Sequence, residues 1–164
     1  MTAPAKSCGD CGLCCKLMGV EEIAKPPLAW CREFKRGCGC RTYETRPKAC
    51  ADFICYWLHL PVLDESWRPD RAGFVMHMSE QGRRLNIEID PARSAGWRRE
   101  PYLSTLRGWA AAGLDRGLEL VVWRGRTATR LTQTGEIDLG VRRPQAPRGP
   151  RPARRAPTGP SARV

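Results

Sequence analysis

Near its amino end the chain reads Cys8-Gly9-Asp10-Cys11-Gly12-Leu13-Cys14-Cys15. Two successive C-x2-C steps bring three sulfurs toward one centre, because a tight turn over three residues folds both side chains to the same side. Glycine at positions 9 and 12 permits positive φ and lets backbone N–H groups approach thiolate sulfurs, which stabilises their charge. Cys14 and Cys15 are adjacent, and since adjacent side chains diverge, we expect them to serve two neighbouring metals rather than one.

The remaining cysteines follow closely and then stop. They are Cys31, Cys38, Cys40, Cys50 and Cys55, so all nine cysteines of the 164-residue chain lie in its first third. Such clustering indicates a disulfide framework, a metal site or a set of redox or buried thiols. The first seven residues lack the apolar stretch of a secretory signal, and no stretch is long enough to span a membrane, so we expect a cytoplasmic protein. Thiols stay reduced in the cytoplasm, and an odd number cannot all pair, which favours metal ligation.

The cysteine pattern resembles the CxxCxxCC family of zinc- or iron-chelating domains. The resemblance covers residues 8–57 and includes the opening run, the isolated Cys31, Cys40 with Tyr43 three positions later, Arg46-Pro47-Lys48-Ala49-Cys50, and Cys55. It implies chelation by eight thiolates: Cys8, Cys11, Cys14, Cys15, Cys31, Cys40, Cys50 and Cys55. Cys38 is a ninth thiol outside this pattern and is an alternative to Cys40 as a ligand.

Zinc and iron–sulfur chemistry both remain open at this stage. Eight thiolates make two closed, tetrahedral, all-cysteine zinc sites. A [4Fe–4S] cluster also takes four thiolates, and C-x2-C-x2-C begins the ferredoxin motif, although Cys15 follows at once in place of C-x3-C-P. A related module in bacterial flagellin lysine methylases is associated with an iron–sulfur cluster, so a redox or methyl-transfer enzyme is the alternative function. No phosphate-binding loop, nucleophile elbow or Ser/His/Asp set defines a reaction.

The residues between the cysteines predict a shell around the metal. Four aromatic side chains are expected to keep water from the sulfurs: Trp30, Tyr43, Phe53 and Trp57. Two interpretations compete for Arg46, which either pairs with Glu44 or Asp52 at the surface or donates N–H bonds to ligand thiolates.

The whole chain is expected to be an α+β protein with an irregular cysteine module over residues 1–60, a small α+β region over 61–141 and a disordered tail over 142–164. The middle region predicts strands at 74–78 and 85–89, a turn at 80–82, a hairpin over 118–132 and a short strand around Ile137 and Leu139. A helix beginning at Pro101 and capped by Gly117 should bury Leu103, Leu106, Ala110 and Leu114. The sum is ββαββ, a small antiparallel sheet covered by one helix, with His77 on the solvent side of its strand.

The net charge of +11 resides mostly in the tail, which carries seven of the 28 Lys and Arg residues and no acid. The rest of the chain holds 21 basic and 17 acidic side chains, a balance of +4. Nucleic acid is therefore expected to bind only weakly and through the tail, as an electrostatic arm. The partners implied by the cysteines are metal ions; the sequence points to no particular protein partner and to no membrane.

Overall fold

The computed structural model describes residues 6–79 and 82–141. The cysteine module forms short elements: helix α1 (Leu13–Leu17), strands β1 (Phe34–Lys35) and β2 (Gly39–Cys40), and helices α2 (Lys48–Ala51) and α3 (Tyr56–His59). After these come helix α4 (Pro69–Ala72), strands β3 (Phe74–Met78) and β4 (Arg84–Ile89), helix α5 (Tyr102–Leu114), and strands β5 (Glu119–Arg124), β6 (Thr127–Leu131) and β7 (Glu136–Val141). The predicted disorder of 142–164 and most of the predicted turn at 80–82 lie outside the described residues.

The architecture is mixed α+β, with a two-stranded hairpin in the module and a five-stranded sheet in the order β3-β4-β5-β6-β7. The predicted final strand is confirmed, because β7 pairs with β6. The sheet is not wholly antiparallel, however, since β4 and β5 run parallel, with Leu85 opposite Leu120 and Ile87 opposite Val122. The cause is helix α5, which carries the chain back across the sheet so that β5 starts at the same end as β4.

Helix α5 covers one face of this sheet. Its Leu106 is fully buried, and Tyr102 and Ala110 pack beside it in the same core as Ile87 and Leu120. Leu114, predicted to be buried, is 75% exposed. The inward position in the last turn belongs to Gly113, whose Cα lies against Leu118, and Gly117 reverses the chain with φ +65° three residues after the helix ends.

Helix α1 of the cysteine module covers part of the opposite face of the sheet, at strand β3, whereas Trp57 of α3 packs into the core on the α5 side. Val75 of β3 is fully buried against Leu13 and Leu17 of α1. The Lys16 ammonium donates to both carboxylate oxygens of Asp90 at 2.7 and 2.9 Å, which ties α1 to the end of β4. His77 therefore does not face solvent as predicted: its ring lies 5.3 Å from that of Phe53 and its Nε2 is 3.5 Å from a Glu88 oxygen.

Candidate metal centre

One open cavity of about 680 Å³ lies within the cysteine module. Its wall contains all eight cysteines of the expected ligand set: Cys8, Cys11, Cys14, Cys15, Cys31, Cys40, Cys50 and Cys55. Cys38 is exposed and does not line it. All nine thiols are free in the structure, so none is consumed by a disulfide.

Short backbone hydrogen bonds position these thiols. The Cys11 amide donates to the Cys8 carbonyl at 2.9 Å, which closes the first C-x2-C turn. The Cys31 amide donates to the Cys15 carbonyl at 3.0 Å and brings the isolated cysteine beside α1. Strand β2 then supplies Cys40, α2 supplies Cys50, and Cys55 stands immediately before α3. Turns and single helical turns, rather than long elements, thus assemble the cavity wall.

The two glycines of the opening run act in different ways. Gly9 has φ +50°, as predicted, whereas Gly12 has φ −126°, so the prediction of positive φ is wrong there. Gly12 is needed for space instead, because a Cβ at this position would lie 1.9 Å from Cε2 of Phe34. Gly39 is needed both for its positive φ of +84° and for space, because a Cβ at this position would lie only 2.2 Å from the Gly9 carbonyl oxygen.

The electrostatic neighbours of the thiols divide them into two sets. Cys14 is influenced most by its neighbour Cys15 and then by Cys8 and Cys11, and Cys55 is influenced by Cys8; we group Cys8, Cys11, Cys14 and Cys55 as the Cys8 set. Cys50 is influenced by Cys15, Cys31 and Cys40, and these four form the Cys15 set. The adjacent pair contributes one thiol to each set. Because four ligands complete a tetrahedral thiolate site, each set has the number and kind of donors that one zinc ion or one cubane cluster requires.

Cys14 and Cys15 are the point where the sets meet. The Cys14 thiol donates toward the Cys15 sulfur, which raises the pKa of Cys14 well above its usual range and lowers that of Cys15 to about 7. Burial raises the pKa of Cys11, Cys50 and Cys55, and the backbone amides of Leu13 and Asp70 partly oppose this at Cys11. A thiol with a raised pKa keeps its proton in the free protein and releases that proton when its sulfur binds a metal.

A lysine that no sequence motif identifies also lines the cavity. Lys25 is only 8% exposed, and its ammonium donates to the carbonyls of Lys16 (3.2 Å), Pro26 (3.1 Å) and Met18. Burial lowers its pKa, and the nearby Cys31 and Cys15 thiols work against that shift. No spacing motif identifies such a lysine, since its position depends on how the loop after α1 folds back.

The predicted shell is formed only in part. Phe53 and Tyr43 line the cavity, but Trp57 is buried in the core beneath the sheet, where its indole N–H donates to the Asp64 carbonyl at 3.0 Å. Trp30 is half-exposed and stacks on Phe34 with ring centroids 4.6 Å apart.

Arg46 follows neither of its two predicted interactions. Its guanidinium stacks on the Tyr43 ring at 3.9 Å and donates to the Tyr43 carbonyl, whereas Asp52 pairs with Lys48. Tyr43 in turn lies beside Cys8, whose sulfur raises the pKa of the phenol. Arg46 thus lines the cavity and packs on Tyr43, which in turn lies beside Cys8.

Two features are absent from residues 6–79 and 82–141. No group of three or more His, Cys, Asp or Glu side chains there has the geometry of a formed metal site, and no helix is long and apolar enough to cross a membrane. The thiols thus surround a cavity without converging on a single point. Comparison with protein-family models, with curated proteins and with solved structures finds no match for this chain, so its resemblance to the CxxCxxCC family remains a prediction that rests on the cysteine motif.

Proposed function

We propose that this protein is a metal-binding protein that chelates zinc or iron, the latter as an iron–sulfur cluster, in two four-thiolate sites. The Cys8 set holds one metal centre and the Cys15 set holds the other. The observation that supports this most directly is that eight cysteines, drawn from distant parts of the module, line a single cavity while the ninth stays outside it. Cysteines that served only as small apolar residues would be distributed through the core.

The donor chemistry of the cavity fits both metals. Thiolate is a preferred ligand of zinc and the standard ligand of iron–sulfur clusters. Closed four-thiolate zinc sites leave no position for a reacting water, so zinc here would stabilise the module or be held for a partner. Loading requires the thiol side chains to rotate toward two centres, which the short elements around the cavity permit. The metal would then contribute to the folding free energy of the module.

The iron–sulfur alternative uses the same ligands and differs in what the metal supplies. A cluster would supply electron transfer, and the chain's own residues would hold it and limit its contact with water. A redox or methyl-transfer enzyme would additionally need a substrate site beside the cluster, and no residues have been assigned to one.

Metal analysis of anaerobically purified protein, together with its optical spectrum, tests the proposal. We expect either two zinc ions per chain with no visible absorption, or iron with acid-labile sulfide and a dithionite-bleachable band near ~400 nm. Zinc without iron would exclude the redox enzyme, whereas iron with sulfide would exclude a purely zinc-based structural role. Reduced, chelator-treated protein that remains folded and takes up neither metal would overturn the proposal.

A further inference from the structure

The ammonium of Lys25 lies beside the end of α1 that carries Cys15: it donates to the carbonyls of Lys16 and Met18, and the Cys31 amide is bonded to the Cys15 carbonyl. Lys25 lines the same cavity as the cysteines, and the thiols that act on it most strongly are Cys31 and Cys15, followed by Cys14 and Cys50. Three of these four belong to the Cys15 set. The cation is therefore placed asymmetrically within a cavity that contains eight thiols.

The contacts of Lys25 fix its position without neutralising it. Its hydrogen bonds go to the backbone carbonyls of Lys16, Met18 and Pro26, which are dipoles with no formal charge. Among the ion pairs of the described ranges, none includes Lys25. Lys25 as a whole is 8% exposed, and placing a lysine there without a carboxylate partner has a desolvation cost, so its charge is expected to have a use.

We propose that Lys25 is a positioning residue that supplies the compensating cation of the Cys15 set. This inference rests on the proposed function. Four thiolates around one Zn²⁺ carry a net charge of −2, so the loaded set is more negative than the empty set, in which most thiols keep their protons. A fixed positive charge beside it favours the loaded form, and an iron–sulfur cluster with four thiolates gains in the same way because it is also an anion. Lys25 thus makes the Cys15 set the tighter of two otherwise similar sites.

A second lysine provides a matched control. The Lys6 ammonium also donates to three backbone carbonyls, those of Trp57 (3.0 Å), Leu60 (2.6 Å) and Leu63 (2.5 Å). It does not line the cavity, and among the thiols it acts on Cys55 of the Cys8 set. Replacing Lys6 removes a comparable set of carbonyl contacts without removing the charge beside Cys15 and Cys31.

The test is a Zn²⁺ titration of the full chain in competition with a chromogenic chelator, using wild type, Lys25→Gln, Lys25→Arg and Lys6→Gln. Glutamine keeps donors for the carbonyls but removes the charge, whereas arginine keeps the charge. We expect Lys25→Gln to bind zinc about tenfold more weakly at one of its two sites, because a unit charge at close range in a partly buried site has an effect of this order. The affected phase should disappear in Cys31→Ser, which removes a ligand of the Cys15 set.

Lys25→Arg should stay close to wild type, and any loss in Lys6→Gln should fall on the other site. Unchanged affinity of Lys25→Gln at both sites would overturn the inference, as would an equal loss in Lys25→Arg, which would assign the effect to shape or carbonyl contacts. These outcomes are separate from failure of the proposed function, in which wild type itself takes up no zinc and no iron.

Discussion

At the scale of single residues, the contrast between Cys38 and Cys40 shows how local geometry selects a candidate ligand. Both lie on the β1–β2 hairpin, but Cys40 is in register with Phe34 and lines the cavity, whereas Cys38 is in the turn and points away from it. The sequence alone left them as alternatives, because two cysteines separated by one glycine differ only in the register of the hairpin. The choice of Cys40 came from the resemblance to the CxxCxxCC pattern.

Replacing one cysteine of each kind tests this assignment. Cys50→Ser should reduce the metal content from two centres per chain to one, because it removes a donor of the Cys15 set and leaves the Cys8 set complete. Cys38→Ser is the matched control and should keep both. Elemental analysis after anaerobic purification measures the difference. A loss of metal in Cys38→Ser as large as in Cys50→Ser would mean that the set of eight is wrongly chosen.

Gly12 is a second residue whose role can be tested by a single methyl group. Gly12→Ala places a Cβ 1.9 Å from the Phe34 ring, so the ring or the α1 end must move. We expect the free energy of unfolding in urea to fall by about 1–3 kcal/mol, the usual cost of overpacking.

Gly108→Ala is the control for this change. Gly108 lies in α5, and a Cβ added there would have no atom within 4 Å. Alanine at this position should be neutral or should stabilise the helix by up to about 1 kcal/mol. The double variant Gly12→Ala/Phe34→Ala should be less unstable than the sum of the single variants. If the changes in the free energy of unfolding were simply additive, the predicted steric clash between positions 12 and 34 would be absent.

At the scale of elements, the positions of the strands were more predictable than the direction in which they pair and the elements that cover them. The alternation of Leu85, Ile87 and Ile89 marks β4 because one face of the sheet is buried by α5. The parallel direction of β5 could not be read from alternation, which is identical in parallel and antiparallel strands of this kind. The burial of His77 was missed for a related reason: alternation shows that it faces away from α5, but not that residues of the cysteine module cover that side at β3.

An ion-pair triad across three strands gives a prediction about pH. Glu119 of β5 accepts from Arg130 of β6 at 3.1 Å and from Arg84 of β4 at 3.3 Å, and Arg130 first, then Arg84, hold its pKa below the ordinary value of 4.5. A carboxylate with a depressed folded-state pKa stabilises the fold above its unfolded pKa, and this contribution is lost as the pH falls.

Glu119→Gln should therefore lower stability at pH 7 and flatten its decline between about pH 5 and pH 3. The effect should stay below about 1 kcal/mol, because the three side chains are each about 40% exposed and solvent screens them. Urea denaturation at several pH values measures it, with Glu21→Gln as the control, since no ion pair of Glu21 occurs in the described part of the chain. Parallel pH profiles for wild type and Glu119→Gln would contradict the expectation.

At the scale of the whole molecule, residues on the two sides of the expected boundary at residue 60 share one hydrophobic core. Trp57 of the module is buried in the same core as Phe74 and Leu106, and Lys16 is bonded to Asp90 across the boundary. Composition alone could not show this, because the change from cysteine-rich to alternating sequence marks a change of local structure and not of packing. The eight cavity cysteines, in contrast, were predictable as a group, because they all lie between positions 8 and 55 with a recognisable spacing.

The basic tail gives the prediction that belongs to this scale. A chain truncated after Val141 loses seven arginines and no acid. If nucleic acid binds through the tail, the affinity for a short single-stranded oligonucleotide should fall sharply, and its dependence on salt should flatten. Fluorescence anisotropy at several salt concentrations measures both. Metal content should be unchanged in the truncated chain, and oligonucleotide binding equal to that of the full chain would show that the tail is not the cause.

The proximity of Cys55 to Cys8 has a consequence for the order of events during synthesis. The Cys15 set lies wholly inside the loop that the Cys8 set closes, because its members all come between Cys14 and Cys55 in the chain. A nascent polypeptide therefore has every donor of the enclosed set before the last donor of the enclosing one leaves the ribosome. If the two sets bind metal as proposed, capture by the enclosed set shortens the span that must still be closed, which reduces the entropy cost of the second capture. The Cys15 set should therefore be loaded before the Cys8 set during synthesis.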